Sequence, residues 1–317
     1  MSILSKKYFH NEAEAFKKLE SIVWPDGPVC PHCGNADEKR IYVLAGVRSK
    51  PSNKNPEGVE RHGLKKCGEC RKQFTVKVGT VFEHGRVPLH KFLQATYLMA
   101  SSKKGISAHQ MHRILEVTYK TAWFMCHRIR EAMRSGELAP FGSGGGIVEV
   151  DETYTGPKIA RGSYGKKYIV LTLVDRDTGA ARSFEVDRAD KATVLPILRE
   201  NLDKEARVIT DEASIYKRLD EEYTHAYVNH SKKQWGRGEI HTNTIEGFYS
   251  IFKRGMKGVY QHCSKKHLHR YVAEFDFRYS NRSKLGIGDE ERTLAAIAGI
   301  TGKRLTYHQP NETNVKS

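Results

Sequence analysis

Two cysteine pairs constrain this chain more than any other feature: Cys30-Pro31-His32-Cys33 and Cys67-Gly68-Glu69-Cys70. In a reducing compartment, paired knuckles of this kind predict a structural Zn²⁺ site rather than disulfides. Four thiolates close a tetrahedral shell and leave no open position for catalysis. The glycines after the first knuckle and inside the second suit the tight turns that aim backbone amides at sulfur. The separation is longer than usual for a zinc ribbon, and the polar loop Ser49–Gly58 accounts for the excess. The competing reading, two unrelated CxxC pairs with one a redox motif, lacks the βαβ context such a motif needs. Cys126 and Cys263 read as small buried residues. A first module, residues 1–84, is therefore expected to hold a short N-terminal helix (Asn11 to Ser21) and a zinc ribbon. Its strands are expected at 39–43 and 73–77.

Residues 85–141 read as helical. Pro88 suits the first position of a helix. Ile106–Leu115, the turn Glu116–Tyr119 and a second helix Lys120–Arg130 have helix-turn-helix spacing. Ala122, Met125, Cys126 and Ile129 share one face of the second helix, with Lys120, Trp123, His127 and Arg130 on others. The alternative is an ordinary helical hairpin. Charge favours DNA: Lys plus Arg number 53 against 37 Asp plus Glu, a net +16 spread along the chain. Lys120, Trp123 and Arg128 are the candidate contacts. A second basic, aromatic and glycine-bearing segment, Ser231–Gly238, offers Lys232, Lys233 and Arg237 as phosphate contacts.

Gly142–Gly146 reads as a flexible linker. Beyond it the pattern alternates. Strands are expected at 147–154, 167–175 and 181–187, the last two joined by a hairpin turn at Asp175–Gly179. A helix is expected at 191–202 and a strand at 206–210. A helix near 213–220 and a strand at 225–229 precede the helix that carries Glu246. This order predicts an α/β mixed sheet with flanking helices. Asp151 ends the apolar run Ile147–Val150, Asp211 ends Ala206–Thr210, and Glu246 stands early on its helix. If the fold converges them, they repel strongly unless a cation lies between them. Oxygen ligands suit Mg²⁺ or Mn²⁺. Two such ions can activate a water or hydroxyl and stabilise the leaving oxygen of a phosphodiester. Asn243, Glu246, Ser250 and Lys253 form one polar stripe on this helix, and Lys253 and Arg254 point where a phosphate would arrive. Glu149 shares the strand face of Asp151, whereas Glu152 and Glu212 lie on other faces.

The succession of zinc knuckles, helix-turn-helix, Val150-Asp151-Glu152-Thr153, Thr210-Asp211-Glu212-Ala213, His241–Phe248 and Lys253-Arg254-Gly255 resembles bacterial insertion-sequence transposases of the DDE class, in the ISXO-type subgroup with an N-terminal zinc ribbon. The likeness runs from Trp24 to Arg282. It implies a ribonuclease-H-like catalytic domain at 147–282; residues 283–317 lie outside the likeness and are read as a C-terminal tail. It also implies two divalent ions, and cleavage and joining of transposon-end DNA. Asp151 and Asp211 take the first two acidic positions. The third is Glu246 or its neighbour Asn243.

The expected partners are double-stranded DNA, as transposon ends and target, and further copies of the chain, since two ends must be paired. No apolar run is long enough for a transmembrane helix, and the N-terminus lacks the apolar core of a signal peptide. A cytoplasmic, nucleoid-associated protein follows. Two rival functions remain: a zinc-ribbon DNA-binding regulator derived from a transposase, and a ribonuclease-H-like nuclease indifferent to end sequences.

Overall fold

The computed structural model describes residues 3–53, 55–134, 136, 139–156, 167–232 and 236–305. The chain divides into two units. The first comprises residues 1–101, 108–133 and 289–317, and the second 102–107 and 134–288.

The first unit opens with α1 (Glu12–Val23), whose Asn11 cap accepts a hydrogen bond from Glu14 N at 3.0 Å. A three-stranded antiparallel sheet follows, ordered β1 (Ile41–Val43), β2 (Lys65–Cys67), β3 (Gln73–Phe74). Strand β2 was not expected, because Lys65-Lys66-Cys67 has no apolar alternation. Pairing creates it: Ile41 lies opposite Cys67, and Lys65 opposite Phe74. Lys65 tolerates burial because its ammonium pairs with Glu20 and lies 5.3 Å from the Trp24 ring centre.

Helices α2 (Leu89–Ser101), α3 (Ala108–Leu115) and α4 (Tyr119–Met133) complete the early part of this unit. The start of α2 is capped by a side chain from α1. Glu12 accepts from Leu89 N at 2.7 Å and from His90 N at 3.1 Å. The turn between α3 and α4 holds Glu116 at a left-handed φ of 51°. The segment expected as a C-terminal tail contains α8 (Asp289–Ala298), which packs on α1, α2 and α4. No helix among the described residues is long and apolar enough to cross a membrane.

The second unit is a five-stranded mixed sheet. Its strands are β4 (Ile147–Thr155), β5 (Tyr168–Asp175), β6 (Ala181–Val186), β7 (Arg207–Thr210) and β8 (Thr224–Tyr227), in spatial order β6-β5-β4-β7-β8. Strand β5 pairs antiparallel with both β4 and β6, while β4, β7 and β8 are mutually parallel. This is the ribonuclease-H-like sheet the sequence predicts. The β5–β6 hairpin turns as expected: Asp175 Oδ1 accepts from Asp177 N and Thr178 N, and Gly179 adopts a φ of +70°.

Strand alternation divides two cores. Val148, Val150, Leu171 and Leu173 meet Val194 and Leu198 of α5 (Lys191–Asn201). On the opposite face, Val170 and Val174 meet α6 (Asn243–Gly255) and α7 (Lys265–Ser280) through Ile245, Phe248, Phe252, Leu268 and Phe275. Two expectations change. The helix near 213–220 is instead a pair of short 3₁₀ turns, Ser214–Tyr216 and Leu219–Glu221, interrupted by Arg218 at a φ of 71°. Gly142–Gly146 is a packed turn, not a flexible linker. Gly142 N donates to Asp175 Oδ2 at 3.2 Å and Gly146 O accepts from Arg207 N at 3.0 Å. A Cβ on Gly142 would come within 2.5 Å of the Ala206 side chain.

Candidate active site and metal centre

In the first unit the four cysteines converge, with their sulfurs all within 4.8 Å of one another. The Cys30–Cys70 and Cys33–Cys67 sulfur separations are each 3.7 Å. A disulfide needs about 2.05 Å. A tetrahedral zinc with bonds of about 2.3 Å sets a sulfur–sulfur edge of about 3.8 Å. The donor set therefore fits structural Zn²⁺. The knuckles are built alike. The residue after each second cysteine, Gly34 in one and Arg71 in the other, takes a left-handed φ, of 76° and 61°. Asn35 adds a side-chain amide donor 3.6 Å from the Cys67 sulfur.

The carboxylates of the second unit are arranged differently. Asp151 lies in the middle of β4, not at its end, and Asp211 follows directly on β7. The parallel register pairs Glu149 with Ile209. The ladder ends at that pair; Asp151 and Asp211 each stand two residues further along their chains, and the charge of Asp211 reaches Asp151. Burial first, then the charges of Asp211 and Glu152, push the Asp151 carboxyl up to about 8, while Lys253 opposes the shift. Asp151 Oδ1 accepts from Glu152 N at 2.8 Å, and Asp211 Oδ1 from Ala213 N at 2.9 Å. Each therefore keeps its other oxygen clear of these backbone bonds.

Helix α6 is seated on this strand by Tyr249. Its hydroxyl donates to the Asp151 carbonyl at 2.6 Å, and burial holds the phenol well above its ordinary pKa. The Lys253 ammonium lies 5.8 Å from the same ring. Glu246 stands three residues before Tyr249 and Lys253 four after, so both flank the contact. Glu246 is exposed and accepts from Thr242 Oγ1 at 3.2 Å. Asn243, one turn earlier, is exposed as well. Asp211 and Lys253 thus act on Asp151 through their charges, and Glu246 lies on the same exposed face of α6 as Lys253. Among the described residues, the cysteines alone form a group of three or more ligands as tight as 4.8 Å. The carboxylate donors fit a hard divalent cation in chemistry, and a buried carboxyl held near 8 is one such a cation would stabilise as the anion.

Two features went unforeseen. Glu149, on the same face of β4, is fully buried and accepts from Arg176 Nε at 2.6 Å and Ile245 N at 2.8 Å. Its alternation with Asp151 was the available signal. On the other face Glu152 accepts from Tyr216 OH at 2.8 Å, a contact local sequence does not announce.

Residues 144–280 match the ISXO2-like transposase domain, and residues 10–73 match the transposase zinc-ribbon domain. The chain belongs to the ISXO2-like transposases. A transposase-like protein of Haemophilus influenzae is 31% identical over 97 residues, spanning 30% of this chain and 77% of that one. A protein in transposable element ISH50 of Halobacterium salinarum is 27% identical over 298 residues, 86% of this chain and 92% of its own. A solved chain from the simian T-cell lymphotropic virus intasome aligns over 59% of this chain and 65% of its own. It has 12% identity and a TM-score of 0.28, a likeness too weak to bear on the fold.

The sequence-derived DNA contacts separate into distinct environments. Lys120 is exposed at the start of α4, and Trp123 is half-buried with its ring 4.1 Å from that of His127. Arg128 is only 7% exposed, its guanidinium 4.8 Å from the Phe124 ring centre. Arg128 therefore lies in the interior of the first unit rather than on an open helix face. His127 and Arg130, also assigned to non-core faces, are buried too. Helix α4 packs against α2, α3 and α8, so its C-terminal half is covered on several sides. In the second unit Lys232, Arg237, Lys253 and Arg254 are exposed, and Arg254 bonds back to Ser250 through Oγ at 2.6 Å. Lys233 lies outside the described residues.

Proposed function

We propose that this transposase cleaves and joins the DNA ends of a mobile element, with Asp151, Asp211 and Glu246 holding divalent cations. The observation that supports this reading is the parallel β4–β7 pairing just before the two aspartates, together with an Asp151 carboxyl raised to about 8 by burial first and then by the charge of Asp211. A buried carboxyl with a like charge close by is costly for a fold to keep without a cation. Bound Mg²⁺ or Mn²⁺ supplies an activated water or 3′-hydroxyl and charge stabilisation at the leaving oxygen.

The chain's own residues do the rest. Tyr249 holds α6 against β4, Lys253 presents a cation beside the acids, and Glu246 or Asn243 completes the ligand set. Lys120 and Trp123 of the first unit, and Lys232, Arg237 and Arg254 of the second, are assigned to DNA. Arg128 is not. Pairing of two ends calls for at least two copies of the chain.

The test is incubation of the full chain with labelled terminal DNA and Mg²⁺. Metal-dependent nicking at the element boundary, lost in Asp151→Asn and Asp211→Asn, supports the reading. Tight end binding without nicking would favour a DNA-binding regulator. Cleavage of any duplex equally would favour a general nuclease.

A further inference from the structure

Glu149 occupies a position the catalytic reading does not use. Its carboxylate has no exposure to water, yet it is fully engaged. One oxygen accepts from Arg176 Nε at 2.6 Å, with His241 Nδ1 at 3.5 Å. The other accepts from Ile245 N at 2.8 Å. Ile245 is the third residue of α6, so Glu149 caps the helix start from across the sheet and meets the positive end of its dipole. The Thr242 side chain makes no cap bond of its own to the backbone.

Arg176 extends the clamp. Its Nη1 donates to Glu239 O at 2.6 Å, and Nη2 donates to His241 O at 2.6 Å. It thereby grips the hairpin of β9 (Gly236–Arg237) and β10 (Ile240–His241), which leads directly into α6. One buried ion pair thus ties β4, the turn after β5, the β9–β10 hairpin and the first turn of α6.

Glu149 precedes Asp151 by two residues on one strand face, and Ile245 immediately precedes Glu246. We propose that Glu149, with Arg176 and His241, is a positioning residue that sets the entry of α6 and so the placement of Glu246 against Asp151 and Asp211. This rests on the reading of Glu246 as a site carboxylate. The clamp itself is independent of it.

The test uses the full chain with its zinc. Glu149→Gln keeps the shape and an acceptor but drops the charge. Arg176→Lys keeps a charge but loses the fork, and carries the test if the first variant does not fold. Amide hydrogen exchange without divalent metal is read along residues 236–255 and along β5 and β7. Cleavage of terminal DNA is titrated with Mn²⁺. The first turn of α6 should exchange roughly tenfold or more faster while β5 and β7 are unchanged. The Mn²⁺ concentration for half-maximal cleavage should rise about 10–100-fold, the usual cost of losing a group that orients a metal ligand. Exchange that rises evenly through the sheet, or an unmoved Mn²⁺ midpoint with reduced amplitude, would overturn the proposal. Failure of the carboxylate reading would appear separately, as metal-dependent cleavage surviving in Asp151→Asn.

Discussion

The cysteine cluster and the proposed carboxylate site gather candidate cation ligands by opposite routes. The cysteines lie in two short knuckles, each a local turn, and the sulfurs already stand at separations suited to zinc. The acids come from two strands and a helix, and they stay looser than the cysteine group. Thiols are neutral when protonated and can approach one another freely. Burying a carboxylate is costly and neighbouring like charges add to the cost; together they push the Asp151 carboxyl up to about 8. The zinc module can thus depend on its metal for stability, whereas the carboxylate site must be held open by the surrounding fold.

The largest effect that would break this contrast is zinc removal. Apparent zinc-binding free energies in small modules are roughly 10–16 kcal/mol. Chelation should therefore expose residues 28–82 to protease while residues 147–280 stay resistant. Survival of the first segment would show that its own core suffices.

Next come the acids. Asp151→Asn and Asp211→Asn should each lower end cleavage by about a thousandfold or more, since several kcal/mol of charge stabilisation go with the metal. DNA binding and zinc content should persist, as a filter-binding assay and metal analysis would report. Loss of binding as well would mean the sheet itself had failed.

The third ligand sharpens the comparison further. Glu246→Gln should cost cleavage more than Asn243→Ala, by roughly tenfold or more, when both are compared under Mg²⁺ and Mn²⁺. The reverse order would transfer the role to Asn243. Normal cleavage by both would make α6 structural.

A smaller effect concerns pH. A carboxyl whose folded value exceeds its unfolded one favours the folded state while protonated. That contribution is full below about 3.8 and lost as pH rises through about 8. Thermal melts of the zinc-loaded chain without Mg²⁺ or Mn²⁺ should accordingly fall across this window. Asp151→Asn should flatten the trend, and added Mn²⁺ should oppose it at the upper end. An unchanged slope in Asp151→Asn would assign the dependence to other groups.

The smallest expected effect separates two residues of α4. Lys120→Ala should reduce the salt slope of end binding by about 1. Arg128→Ala should leave the slope alone and lower stability by roughly 1–3 kcal/mol, because it fills the interior of the first unit. A flattened slope in Arg128→Ala would require α4 to rearrange on DNA.

The errors in reading the sequence share a physical origin. Strand β2 is Lys65-Lys66-Cys67, which no periodicity marks, and its neighbours in the sheet decide it. Arg128 was assigned to DNA as a basic residue of the second helix of the helix-turn-helix pair. Helix α8, far away in sequence, packs on α4 along with α2 and α3. Gly142–Gly146 was read as a linker from composition, yet left-handed glycines at 142, 144 and 145 are what a tight packed turn requires.

Local chemistry was legible wherever the signal was itself local. The knuckles, the β5–β6 hairpin, the alternation of strands with helices and the polar stripe on α6 all depend on residues a few positions apart. Only the tertiary structure decided which carboxylates interact. The parallel pairing of β4 with β7 brings the charge of Asp211 to bear on Asp151, and Glu149 becomes a helix cap through a contact with Ile245 across the sheet. Such pairings are set by burial and hydrogen bonding between distant segments, whose free energy exists only once the sheet has formed.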